Sequence, residues 1–108
     1  MNNKQIELLT KMKKLIKNNK RRFKLRCDRD YVKDLLELGI TENEAWNYIL
    51  SLNANYYVVD YKPRYNASSN SLTFKRKINN EVVYIKLVIE VYEDDEETVC
   101  LSFHKDYC

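Results

Sequence analysis

The sequence predicts an α+β domain with N-terminal helices packed on one face of a mainly antiparallel β-sheet. Three observations carry this. Apolar residues recur at intervals of three and four through the first half of the chain. In the last third they alternate with polar ones, the pattern of half-buried strands. And 108 residues, 44% hydrophobic and 12% aromatic, supply one core and no second one, so residues 1–108 form a single domain. One glycine and one proline exclude collagen-like and low-complexity classes and leave no glycine-rich phosphate loop.

Residues 4–20 read as a helix. Ile6, Leu9, Met12 and Leu15–Ile16 form its apolar stripe, and Asn2-x-x-Gln5 resembles a capping box. Residues 22–27 alternate polar and apolar, as a short strand does. Asp28 or Asp30 caps a second helix over 30–38 that buries Tyr31, Leu35 and Leu38. It ends at Gly39, where the chain turns into the left-handed region. Thr41-x-x-Glu44 is a capping box for a third helix over 42–52, burying Ala45, Ile49 and Leu52 with Trp46 beside them. Tyr56-Tyr57 belong to the core or a sheet edge, and residues 66–71 form a loop.

Residues 72–78, 82–92 and 98–104 read as three strands. Leu72, Phe74 and Ile78 face the core, as do Val83, Ile85, Leu87, Ile89 and Val91, and then Val99, Leu101 and Phe103. Asn79-Asn80 accept positive φ and close a two-residue hairpin, which pairs Ile78 with Glu81 and sets Lys75 opposite Tyr84. The Glu93–Glu97 run reads as a second loop, solvated by its own repulsion. With Tyr92 paired to Thr98, Lys86 falls opposite His104; this register is the softer one, because a five-residue loop can hold a bulge. The polar face then gathers Lys75, Lys77, Tyr84, Lys86, Ser102 and His104.

Charge is divided unevenly along the chain. Residues 1–26 hold ten Lys/Arg and one acid, +9; the remainder holds nine and fifteen, −6; the sum is the overall +3. A basic segment on such a body points to an anionic partner: nucleic acid, an acidic protein or a membrane surface. The alternative is a solvated Lys-rich face. The first helix has Lys on several faces and no Trp or Phe on its apolar one, which argues against a membrane. Cys27, Cys100 and Cys108 form no C-x-x-C pair, and with a single His a zinc site needs carboxylates or a symmetry mate. Reduced thiols, no apolar run of membrane-spanning length and no signal-peptide pattern lead us to expect a cytoplasmic protein with no cofactor.

A sheet face with one imidazole, one phenol and several ammonium groups suits a phosphodiester. RNA cleavage by side chains needs a base for the 2′-hydroxyl, an acid for the departing 5′-oxygen and cations around phosphorus. His104 is the acid or base, Tyr84 donates a hydrogen bond or stacks on a nucleobase, and Lys75, Lys77 and Lys86 supply charge. Tyr61-Lys62-Pro63-Arg64-Tyr65 interleaves cations with aromatics, as single-stranded nucleic-acid contacts do, and lies in an acid-free stretch from Tyr61 to Asn80. Lys62, Arg64 and Arg76 are therefore RNA-contact candidates. The plainer alternative is an ordinary strand face and a surface loop anchored by two tyrosines.

Leu52-x-x-x-Tyr56-Tyr57, Phe74-Lys75, Val83-Tyr84-Ile85-Lys86-Leu87 and Leu101-Ser102-Phe103-His104 occur here in order. Together with Lys13-Lys14-Leu15-Ile16 and Leu38-Gly39, they resemble the MqsR toxins of type II toxin–antitoxin systems over about residues 10 to 105. The resemblance implies a RelE-like fold and a metal-independent endoribonuclease (an mRNA interferase) that inhibits translation. It also implies neutralisation by a cognate antitoxin, commonly one with a zinc-binding domain and a helix-turn-helix domain. It carries catalytic roles to Tyr84, to His104 and to Lys75. Val58 stands where the family has a lysine after its aromatic pair, and Lys62 is the nearest replacement for that charge. The rival expectation is a non-catalytic RNA- or protein-binding module on the same fold, such as a degenerate toxin or a phage-type inhibitor.

Overall fold

The structure is a computed structural model that describes residues 1–59 and 70–106. The elements run α1 (Asn3–Lys17), β1 (Arg21–Phe23), α2 (Tyr31–Leu38), α3 (Glu42–Leu50), a 3-10 turn (Ala54–Tyr56), β2 (Ser71–Ile78), β3 (Glu81–Tyr92) and β4 (Asp95–Lys105). The four-stranded sheet has the order β1-β4-β3-β2, antiparallel except that β1 lies parallel to β4.

Each helix begins and ends for a local reason. The Asn2 side chain accepts from the Gln5 N–H and the Gln5 side chain accepts from the Asn2 N–H, each at 2.9 Å, which closes the capping box on α1. α1 stops at Lys17, three residues short of the expectation, because Asn19 adopts φ +61. Asp30, not Asp28, caps α2; Asp28 is instead forked by Arg26. Gly39 ends α2 at φ +70. Thr41 and Glu44 make the second capping box, and α3 ends at Leu50.

The helices bury Met12, Ile16, Leu35, Leu38, Trp46 and Ile49 against one face of the sheet, which contributes Phe74, Val83, Ile85, Leu87 and Phe103. Burying each of these large side chains stabilises the fold by roughly 1.5–3 kcal/mol. Phe23 of β1 stacks on Tyr31 at 4.7 Å and packs at 4.8 Å from Trp46. Thr98, fully buried, donates its hydroxyl to the Met12 carbonyl (2.9 Å), so α1 is tied to β4 by a satisfied polar contact. The expected strand over 22–27 is shorter and begins one residue earlier, and it pairs in parallel with β4.

The Asn79-Asn80 turn is as the sequence predicts, with φ +50 and +67, and Ile78 pairs with Glu81. The second hairpin differs. Its turn is only Glu93-Asp94, at φ +49 and +64, so Asp95, Glu96 and Glu97 are strand residues and Tyr92 pairs with Asp95, not Thr98. Their charges do not repel one another into solvent: Asp95 meets Lys20 (2.6 Å), Glu96 meets Lys11 (2.7 Å), and Glu97 and Glu90 share Arg22. Much of the N-terminal positive charge is thus neutralised inside the molecule. Val91, expected in the core, is 64% exposed next to the Glu93-Asp94 turn.

The parity of this hairpin forces a further departure. A two-residue turn carried regularly along the ladder sets Tyr84 opposite Phe103 and turns His104 toward the core. The ladder instead shifts between Leu87↔Cys100 and Lys86↔Ser102, which leaves Leu101 as the extra residue of a β-bulge. Cys100 therefore takes the core position expected for Leu101, while Phe103 stays buried and His104 turns outward. Burial of Phe103, worth roughly 2–3 kcal/mol, selects the bulged register over the regular one.

Gly39 provides a stability test. No atom lies within 4 Å of where a β-carbon would stand, so Gly39→Ala adds backbone strain and no clash. The substitution is expected to lower unfolding stability by about 1 kcal/mol, read as a fall in urea midpoint. An unchanged midpoint contradicts the left-handed cap.

Candidate functional site

The site lies on the sheet face turned away from the helices. The Asn79-Asn80 turn fixes the β2–β3 register and places Lys75 directly opposite Tyr84. The Leu101 bulge fixes the β3–β4 register and places Tyr84 directly opposite His104. Three adjacent strands thus present Lys75, Tyr84 and His104 in one row across the sheet. The Tyr84 and His104 rings are stacked, with centroids 5.5 Å apart and planes 25° apart. One step along, Lys86 pairs with Ser102 and with Thr73. The expected Lys86–His104 pairing is therefore corrected: the two share the face, and Tyr84 is the direct neighbour of His104. Lys77 lies on the same face nearer the hairpin end and is exposed.

His104 has a defined tautomer. Its Nδ1 lies 2.8 Å from the Lys105 carbonyl oxygen, which only accepts, so Nδ1 carries the hydrogen and donates it. In the neutral ring the lone pair is then on Nε2, which is where a proton can be taken up. All three groups are partly buried.

Sequence reasoning missed two residues of the site. Asp106 lies just beyond β4; its N–H extends the ladder by donating to the Val82 carbonyl (2.8 Å), and its carboxylate pairs with the Lys75 ammonium (2.8 Å). The signal was present, since Asp106 is two residues after His104 and so shares its face. Arg26 is the second: its Nη1 donates to the Leu101 carbonyl (3.1 Å) and the Ser102 hydroxyl (3.2 Å). Nothing local in the sequence connects residue 26 to residue 101.

Arg76 is elsewhere. It alternates with Lys75 and Lys77, so it points to the helix side. There its guanidinium is sandwiched between Tyr56 (4.7 Å) and Tyr48 (5.0 Å) and donates to the Tyr48 carbonyl (3.0 Å) and Ser51 hydroxyl (2.6 Å). It clamps α3 to β2, which corrects the expectation that it borders the RNA site. Tyr57 bridges to Phe74 at the β2 edge, and the Val58 N–H donates to the Thr73 carbonyl (2.9 Å). Lys62, Arg64 and most of the 66–71 loop lie outside the described residues.

Among the described residues no helix is long and apolar enough to cross a membrane. Compared with protein-family models, curated proteins and solved structures, the chain matches none of them.

The Lys75–Asp106 pair yields a prediction. A phosphate that uses Lys75 must compete with the Asp106 carboxylate. Asp106→Asn is expected to raise affinity for a single-stranded RNA several-fold and to steepen its salt dependence by about 0.7, the increment for one more phosphate contact. Equal or weaker affinity in a titration across salt concentrations contradicts Lys75 as a phosphate ligand.

Proposed function

We propose that the protein is an endoribonuclease whose own side chains cleave the phosphodiester. More particularly, it is the mRNA-cleaving, translation-inhibiting toxin of a toxin–antitoxin pair, acting in the cytoplasm. The observation that carries the first statement is the Lys75–Tyr84–His104 row, a cation, a phenol and a base brought together on an outward face by the Asn79-Asn80 turn and the Leu101 bulge. The second statement is supported by the order of the Val83–Leu87 and Leu101–His104 segments, which resemble MqsR toxins.

In this reading His104 Nε2 takes the proton of the 2′-hydroxyl. The freed oxygen attacks the adjacent phosphorus, and the 5′-oxygen departs with a proton that we assign to the Tyr84 hydroxyl. The products are a 2′,3′-cyclic phosphate and a 5′-hydroxyl. Lys86 and Lys75 offset the charge that builds on the phosphoryl oxygens. Lys77 guides the strand, and Lys62 and Arg64 are the remaining contacts proposed for it. His104→Ala is expected to lower cleavage of an RNA oligonucleotide by about 100-fold or more. Tyr84→Phe separates the hydroxyl from the ring: a loss of about 10-fold or more assigns it proton transfer, while full activity in Phe and loss in Ala assigns it stacking. A folded His104→Ala chain that cleaves at the original rate would falsify the assignment; so would full activity in both Tyr84 variants.

The partner reading uses a different surface. α1 packs on the face of the sheet opposite Tyr84 and His104, and its Lys14 and Lys17 are exposed in its last turn. We assign this surface to an acidic segment of a cognate antitoxin, of the zinc-binding and helix-turn-helix kind that the resemblance implies. Replacing Lys14 and Lys17 with Gln is expected to leave RNA cleavage and its salt slope unchanged while weakening antitoxin binding, measured by calorimetry. A salt slope lower by about 1.4 assigns α1 to RNA instead, and unchanged values for both ligands mark it as a solvated face.

A further inference from the structure

We propose that Arg26 is a positioning residue that, with the Cys100 thiol, holds the Leu101 bulge and so fixes the His104 imidazole against Tyr84. The catalytic consequence rests on the ribonuclease reading above; the geometric one stands without it. In a regular strand successive carbonyls point to opposite sides. Here two in a row bond to the β1 side: the Cys100 carbonyl accepts from the Lys24 N–H (2.9 Å), and the Leu101 carbonyl accepts from Arg26 Nη1 (3.1 Å). β1 ends at Phe23, so no strand N–H follows at Leu101, and the guanidinium stands in for one.

Arg26 is itself held. Asp28 grips its Nε and Nη2 at 3.0 and 2.8 Å, a two-point fork that aims Nη1 at the bulge and at the Ser102 hydroxyl (3.2 Å). From the core side the Cys100 thiol donates to the Ser102 carbonyl (3.3 Å), spanning the bulge. Burial pushes that thiol's pKa up, so it stays protonated and remains a donor. Phe103 burial chooses which face His104 takes; Arg26 and Cys100 set the backbone angle from which the ring leaves, two residues beyond Ser102. A guanidinium on a loop and a thiol in the core thus act on one imidazole through the strand between them.

The test compares the full chain with its Arg26→Ala, Arg26→Lys and Asp28→Asn variants by NMR. The readout is the nuclear Overhauser effect between the Tyr84 and His104 rings, with amide spectra of α1 and α3 as the check on folding. Arg26→Ala is expected to weaken the ring–ring effect several-fold while the helix spectra are retained. Arg26→Lys, which keeps one donor, is expected to restore part of it. Wild-type intensity in Arg26→Ala overturns the proposal. Should that variant not fold, Asp28→Asn loosens the fork without removing the guanidinium, and unchanged intensity there overturns the proposal equally. Cleavage of an RNA oligonucleotide is followed in parallel. Arg26→Ala is expected to lower kcat about 10-fold, change KM less than twofold and displace the pH profile. A ring–ring effect that weakens in proteins that never cut RNA overturns the ribonuclease reading and upholds the positioning role.

Discussion

The parity of the β3–β4 ladder governs which chemistry this protein can display. A strand has only two faces, so a ladder displaced by a single residue exchanges every side chain between core and solvent. The Glu93-Asp94 turn sets one parity and the Leu101 bulge reverses it for the last strand residues. Up to Cys100 the strand serves the core under one parity. From Ser102 onward the other parity keeps Phe103 buried and turns His104 toward Tyr84. The apolar demand of Phe103 and the outward placement of the imidazole are the same geometric fact, so packing and function do not compete at this point.

Electrostatics follows from the parallel β1–β4 contact. That pairing lays the basic stretch around residues 20–24 beside the acidic start of β4. Lys20 and Asp95 meet at 2.6 Å, and Arg22 reaches both Glu90 and Glu97. The hydrogen bond from Lys20 holds the Asp95 carboxyl below the usual carboxylate range, and Arg26 does the same for Asp28. Exposed pairs of this kind contribute little stability each. Their larger effect is to occupy Lys11, Lys20, Arg22 and Lys24 with partners inside the molecule, while Lys14 and Lys17 in the last turn of α1 are exposed.

Local signals were legible in the sequence, and long-range ones were not. The capping residues Asn2, Asp30 and Thr41, the stop at Gly39 and the Asn79-Asn80 turn each follow from side chains within four positions, and all form. The pairing of Lys75 with Tyr84 needed only that turn and a period of two. The neighbour of His104 needed the length of the acidic turn and a bulge held partly by a residue 75 positions away, so Lys86 was expected where Tyr84 stands. Arg76 shows a different limit: its basic neighbours suggest an RNA contact, whereas its alternation with Lys75 and Lys77 turns it to the helix side. Asp106 was missed because a carboxylate after the last strand reads as a chain end until the ladder is extended through it.

The most direct test of the account is the chemistry of the cut ends. An RNA oligonucleotide is incubated with the protein in the presence of a chelator and the fragments are weighed by mass spectrometry, beside a copy carrying 2′-deoxy sugars. The account predicts 2′,3′-cyclic phosphate and 5′-hydroxyl ends from the RNA and no cleavage of the deoxy copy. Fragments ending in a 3′-hydroxyl and a 5′-phosphate, or RNA left intact by the folded protein, contradict it.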